Sequence, residues 1–290
     1  MSDFGSPAAR QRRLASELRR LRRGARLTGK EVATRLGWSE AKLSRIENGL
    51  TRVKIADLDE FMELCGVSGP HRAELVALAE ESRETGPLVK LDGYLPEGHA
   101  GFLQLESEAQ TMLTWEPQVV PGLLQLEDYT RGLLQLWPSV MARPAAEVER
   151  RVQTSRLRQR ILTRTPPLEL FFVIDESVLL RGFAAPSVMH DQLLHLAEIS
   201  EQPNVEVRIL ALSGNQAIGT GAFVYFRFPR IHGVSLQDTV ALEHLHTTTF
   251  VDSELEANMY RLAFGVLREI ALNAQSSRDK LANTARDVWR

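Results

Sequence analysis

The chain has 290 residues, 35 Lys+Arg and 37 Asp+Glu, for a formal net charge of −2. This is an ordinary globular composition and suits one large domain or two. No apolar run is long enough for a bilayer, and the arginines near the start have no apolar core behind them, so neither a membrane anchor nor a secretory signal is expected. The single cysteine, Cys65, excludes an internal disulfide framework and a cysteine-rich zinc site. It fits a reducing cytoplasm, as a small buried apolar residue on a helix.

The near-zero net charge hides an asymmetry. Residues 1–54 hold 14 Lys+Arg against 5 Asp+Glu, which leaves 21 against 32 in the remainder, a balance of +9 followed by −11. A basic head on an acidic body implies that the head meets a polyanion, the alternative being an arginine-rich solvated helix face.

Met1 to Pro7 is expected to be disordered. From Ala8, Leu14, Leu18 and Leu21 form one apolar stripe on a basic helix that Gly24 closes. Arg12, Arg13, Arg19, Arg20 and Arg23 on this helix are candidates for phosphate contact or for simple solvation. Thr28 with Glu31 is a capping box, so a second helix begins at Gly29, buries Val32, Ala33 and Leu36, and stops at Gly37. Ser39 caps a third helix, with Leu43 and Ile46 inward and Asn48-Gly49 at its end. Its outward face carries Glu40, Ala41, Lys42, Ser44 and Arg45. Two short helices joined by a tight turn make a helix-turn-helix pattern over Thr28–Val53. Ile55, Leu58, Phe61, Met62 and Leu64 predict a fourth helix ended by Gly66, and Pro70 starts a fifth with Leu75, Leu78 and Ala79 inward. Trp38, large and apolar beside the turn, is expected to pack rather than to lie on DNA.

The order of these elements and the phrase LSRIENG resemble the Xre type of lambda-repressor-like DNA-binding domain. The resemblance implies a five-helix fold whose third helix enters the major groove of double-stranded DNA. It places base-reading positions at Gly29, Glu40, Ala41 and Arg45, flanked by Lys42 and Ser44. Thr28, Asn48 and Arg52 fall where backbone contacts are usual, and Lys30 and Ser39 complete the candidate set. It also implies a buried salt bridge between Arg22 and Glu47, hence a structural role for Glu47. Gly29 has no side chain to read a base, and Glu40 can accept a hydrogen bond from cytosine but repels phosphate, so base reading is expected to rest on Arg45 and Lys42, with Glu40 as a further candidate.

Residues 85–101, TGPLVKLDGYLPEGHAG, break the helical period and read as a linker between a DNA-binding domain at 8–84 and an α+β regulatory or dimerisation domain at 102–275. Within that second domain helices are expected at Phe102–Thr111, Leu123–Leu136, Pro144–Arg164, Val188–Ile199 and Glu254–Asn273. The Pro144–Arg164 helix carries Arg150, Arg151, Arg156, Arg158, Arg160 and Arg164, which pair with the acidic body or a subunit, or touch DNA. Strands are expected at LELFFVIDE, Val205–Leu212, Ala222–Phe228 and Thr239–Leu245. Helices around a sheet of four or five strands, after an all-α module, make the fold class mainly α plus α+β. Residues 276–290 read as a polar tail.

TWEPQVVPGLLQLEDYTRGLL, ERRVQTSRLRQRIL, VIDESVLL, PNVEVRILAL and FRFP resemble the C-terminal domain of a large group of actinobacterial Xre-type regulators, described as antitoxin-like and often encoded beside a small partner protein. That implies a regulator whose body assembles or senses something, with a small neighbouring protein as a partner.

Signals for chemistry are sparse. Asp175-Glu176 at a strand end suits helix capping better than acid–base work. His244 and His246, taken as alternate residues of a strand, have no third ligand at diagnostic spacing. Asn215, Gly219 and Gly221 form a glycine-rich loop with no phosphate-cradle lysine. No catalytic residue, metal or cofactor is expected. The expected function is that of a cytoplasmic, nucleoid-associated transcriptional regulator, by default a repressor, binding a pseudo-palindromic operator as a homodimer. The alternative is an antitoxin-like protein that binds a small partner and uses DNA for autoregulation.

Overall fold

The computed structural model describes residues 7–83, 99–136, 144–213, 219–231 and 234–290. Residues 1–6 of the stretch expected to be disordered and residues 85–98 of the expected linker lie outside these; Pro7, the last residue of the first, begins a helix, as does His99 of the second. In chain order the helices are α1 (Pro7–Gly24), α2 (Gly29–Leu36), α3 (Glu40–Glu47), α4 (Ile55–Leu64), α5 (Pro70–Glu81), α6 (His99–Glu108), α7 (Glu127–Gln135), α8 (Ala145–Arg158), α9 (Glu176–Leu180), α10 (Pro186–Ile199), α11 (Glu254–Ile270) and α12 (Ala274–Val288). The strands are β1 (Thr111–Glu116), β2 (Glu169–Asp175), β3 (Val205–Leu210), β4 (Phe223–Arg227), β5 (Arg230–Ile231), β6 (Val234–Ser235), β7 (Thr239–Glu243) and β8 (Thr248–Val251). Contacts divide the chain into two units, Met1–Ala109 with Arg227–Asp238, and Gln110–Phe226 with Thr239–Arg290.

In the first unit the five expected helices form around one core. Leu14 and Leu18 of α1, Val32 of α2, Leu43 and Ile46 of α3, Leu58, Phe61 and Met62 of α4, and Leu75 and Leu78 of α5 are all buried in it. Helix α6 and the β5–β6 hairpin belong to this unit as well, although the sequence pattern assigned both to the C-terminal body. Arg13 shows why: its side chain is fully buried, and its Nη1 donates to the carbonyls of Pro229 (2.7 Å) and Val234 (2.8 Å). An arginine can be buried only if carbonyls and a nearby carboxylate replace its water. Glu108, at the end of α6, supplies that charge against the desolvation that lowers the Arg13 pKa.

The second unit holds a six-stranded mixed sheet in the order β3-β2-β1-β4-β7-β8. Strands β1, β2 and β3 run parallel, in register from Thr111↔Glu169 and from Leu170↔Val205. Their crossovers are the long ones that parallel pairing requires, α7 and α8 for the first and α9 and α10 for the second. Strands β4, β7 and β8 pair antiparallel in turn. Strands β1 and β8 are not among the expected strands, and the helix expected to reach Thr111 ends at Glu108, before β1 begins at Thr111. The chain leaves α6 at Glu108, and Met112 and Trp115 are buried as sheet residues.

The expected tail is also structured. Asn273 caps α12, and Ser277 Oγ accepts from Ile209 N (3.0 Å). Leu281 and Ala285 are fully buried, and Trp289 Nε1 donates to the Leu179 carbonyl (2.7 Å). One large apolar residue among small ones leaves little periodic signal to read.

Glu116 closes β1 half-buried. Burial first, and then the Glu243 carboxylate, push its carboxyl up to about 8. A carboxyl raised on folding contributes stability that is complete below its ordinary range and is lost as pH rises through the folded value. Wild type is therefore expected to lose about 2–4 kcal/mol of unfolding free energy between pH 5 and 9 relative to Glu116→Gln, by urea titration at each pH. Parallel pH profiles for the two proteins would refute this.

Candidate nucleic-acid interface

The turn between α2 and α3 is fixed by local chemistry. Thr28 Oγ1 accepts from Glu31 N (3.2 Å), and Glu31 Oε2 accepts from Thr28 N (2.8 Å), closing the capping box. Gly37 ends α2 with φ 63°, a left-handed conformation in which a side chain would be strained. Ser39 Oγ then accepts from Lys42 N (3.0 Å) to start α3. A Cβ placed on Gly29 would lie 3.7 Å from Leu43 Cδ2, so this position faces α3.

With Leu43 and Ile46 buried, α3 shows solvent its other side. Glu40, Ala41, Ser44, Arg45 and Asn48 are all exposed, as are Thr28, Lys30, Ser39 and Arg52. Ala41, Arg45 and Asn48, at i, i+4 and i+7, share one helix face. The Arg45 side chain has no hydrogen-bond or ion-pair partner among the described residues. Arg26, Arg35 and Lys54, not singled out from the sequence, add exposed cations to the same stretch of chain.

Lys42 departs from its expected role. Its ammonium lies 2.9 Å from Asp57 Oδ1 and 4.2 Å above the Trp38 ring, which ties α3 to α4. Trp38 itself stacks on Phe61 at 6.4 Å and packs against the core. Of the two cations expected to read bases, Arg45 is the unencumbered one.

The C-terminal end of α3 is braced from α1. Arg22 meets Glu47 through Nε–Oε1 (2.7 Å) and Nη2–Oε2 (2.8 Å), with side chains 15% and 8% exposed. Its Nη1 donates to the Leu27 carbonyl (2.9 Å). Arg19 Nη2 donates to the Glu47 carbonyl (2.7 Å) and to Asn48 Oδ1 (2.6 Å), satisfying a terminal carbonyl of α3. Of the α1 arginines considered for phosphate contact, Arg13 is buried and cannot serve. Burial lowers the Arg12 pKa, Arg19 is bonded to the end of α3, and Arg20 is paired with Glu17. Arg23 is exposed.

In the second unit, Asp175 Oδ1 accepts from Ser177 N (2.9 Å) as the cap of α9. Glu176 pairs with Lys280 and accepts from Leu212 N (2.9 Å). His244 and His246 sit in the exposed turn after β7 rather than within a strand, so the shared-face argument for a metal does not apply to them. Among the described residues no three His, Cys, Asp or Glu come together as a metal site. Asn215 of the glycine-rich loop lies outside the described residues. On α8, Arg151 pairs with Glu147 and Arg156 with Glu127. Cys65 is half-buried, and burial raises its thiol pKa.

Two family models match. A helix-turn-helix domain matches residues 13–75, and a domain of unknown function (DUF5753) matches residues 100–283, well over half the chain. The chain belongs to the DUF5753 family. The DUF5753 segment includes α6 and the β5–β6 hairpin, so the family's own stretch of sequence supplies two pieces of the first unit. No curated protein and no solved structure matches the chain. The helix-turn-helix match points to a DNA-binding regulator. Among the described residues no helix is long and apolar enough to cross a membrane.

Proposed function

We propose that the chain is a sequence-specific transcriptional regulator of the Xre type, acting in the cytoplasm on the nucleoid and by default as a repressor. It binds a pseudo-palindromic operator as a homodimer, with α3 in the major groove. The observation that carries this reading is the outer face of α3, capped at Ser39, braced at Glu47, and presenting Arg45 without a partner among the described residues. Arginine paired bidentately with guanine is the commonest specific base contact. The surrounding cations, Lys30, Arg35, Arg52 and Lys54, would meet phosphates. No reaction is assigned to the chain, because Asp175 and Glu176 are occupied in capping and pairing.

A second reading, an antitoxin-like protein whose body holds a small partner, is favoured by the acidic balance of −11 over residues 55–290. Co-purification with the product of a neighbouring gene would support it.

For the leading reading, affinity for DNA of the chain's own promoter region is expected to fall at least about a hundredfold over a fourfold rise in salt, since four or more neutralised phosphates release their counterions. Fluorescence anisotropy measures this, and a flat salt dependence would sink the proposal.

A further inference from the structure

In the six-stranded sheet the parallel strands β2 and β3 are added on one side of β1, and β4, β7 and β8 on the other. Strand order therefore reverses at β1. In open sheets of this kind ligands bind outside the carboxyl ends of the strands at such a reversal. The carboxyl end of β1 is Glu116.

The Glu116 carboxyl makes no hydrogen bond or ion pair among the described residues, although the residue is half-buried. Its register partner on β2, Ile174, is apolar and fully buried. Two residues back, Thr114 shares the same strand face and is 3% exposed. Its Oγ1 is enclosed and has no hydrogen-bond partner among the described residues. On this face Thr114 lies between Met112 and Glu116 and opposite Phe172 of β2, so Glu116 is the one polar group that these neighbours offer it. Unsatisfied polar groups cost stability unless something else completes their hydrogen bonds. Glu243, at the end of β7, brings a second carboxylate whose charge reaches Glu116, and Tyr129 of α7 is the other titratable group coupled to it.

We propose that the carboxyl end of β1 binds a small primary amine. The Glu116 carboxylate holds the ammonium, Thr114 Oγ1 accepts one of its N–H bonds once the Glu116 side chain turns to meet it, and Glu243 adds its charge. The donor set selects this ligand. Among the described residues no third His, Cys, Asp or Glu joins the two carboxylates, so a metal ion would lack protein ligands. An ammonium offers three N–H donors on one charge, enough for a carboxylate and a hydroxyl together. A neutral alcohol has no charge to set against the carboxylates.

The ammonium needs the ionised carboxyl. Burial, and then Glu243, keep the proton on Glu116 up to about 8, so binding at neutral pH displaces it. Affinity then rises with pH until the carboxyl is ionised in the free protein, while the amine stays charged to about pH 10.

The test is calorimetric titration of the full chain with n-butylamine, with n-butanol as the uncharged control. Saturable amine binding is expected, about five- to tenfold tighter at about pH 7.5 than at about pH 6.5. Glu116→Gln, which keeps the shape of the side chain, is expected to melt no lower than wild type, to weaken binding at least about tenfold and to flatten its pH dependence. Thr114→Val is expected to melt higher than wild type, because an unsatisfied hydroxyl is removed, yet to bind the amine about threefold or more weakly. The proposal is overturned if n-butylamine shows no saturable binding, if n-butanol binds equally well, or if Glu116→Gln leaves amine binding unchanged. The site does not rest on the regulator reading: a chain that binds the amine but no promoter DNA upholds the site and sinks that reading.

Discussion

Glu47→Ala is expected to cost the helix-turn-helix unit about 3–5 kcal/mol, the usual result of stranding one member of a buried ion pair. Arg22 would keep only its bond to Leu27, and two of its nitrogens would lose a carboxylate without gaining water. The matched double variant Arg22→Met with Glu47→Leu is expected to lose much less, because apolar groups of similar volume remove the desolvation cost along with the attraction. Urea unfolding of the full chain, followed by hydrogen exchange at the backbone amides of α1 to α5, separates the two cases. A loss under about 1 kcal/mol for Glu47→Ala would mean that the pair braces nothing.

Arg45→Ala is expected to lower operator affinity by about 1–3 kcal/mol, roughly ten- to a hundredfold, and to relax the preference at one base pair of each half-site. Stability should not change, since the side chain is exposed and has no partner among the described residues. Lys42→Ala is the contrast. It removes a half-exposed tether to Asp57 and is expected to cost about 0–1 kcal/mol of stability with little loss of specificity. If Lys42→Ala abolishes specific binding while Arg45→Ala leaves it intact, the assignment of the reading residue is wrong.

What could be read from the sequence was local. The capping box at Thr28, the left-handed Gly37, the Ser39 cap and Pro70 each act within four residues of themselves, and the helices they bound are present. The pairing of Arg22 with Glu47 came from resemblance alone, because no rule of helical spacing links residues 25 apart. Lys42 looked like a reading residue because its partner, Asp57, lies on another helix. Arg13 looked solvated because the carbonyls that bury it are more than 200 residues away. In the second unit the strongly apolar strands were visible. Strand β1 follows α6 within three residues and lacks strict alternation, its burial running in pairs, and α12 buries small and polar residues, Ser277, Thr284 and Ala285. His244 and His246 were assigned to a strand whose end, at Glu243, is set by its pairing with β8.

The most direct measurement is a genome-wide footprint of wild type and of Arg45→Ala at equal protein levels. The expected result is a set of discrete wild-type sites, each with two inverted half-sites about one helical turn, roughly 34–36 Å, apart, that fade in the variant. Footprints that are diffuse, or identical for the two proteins, would contradict the claim that α3 reads DNA through Arg45.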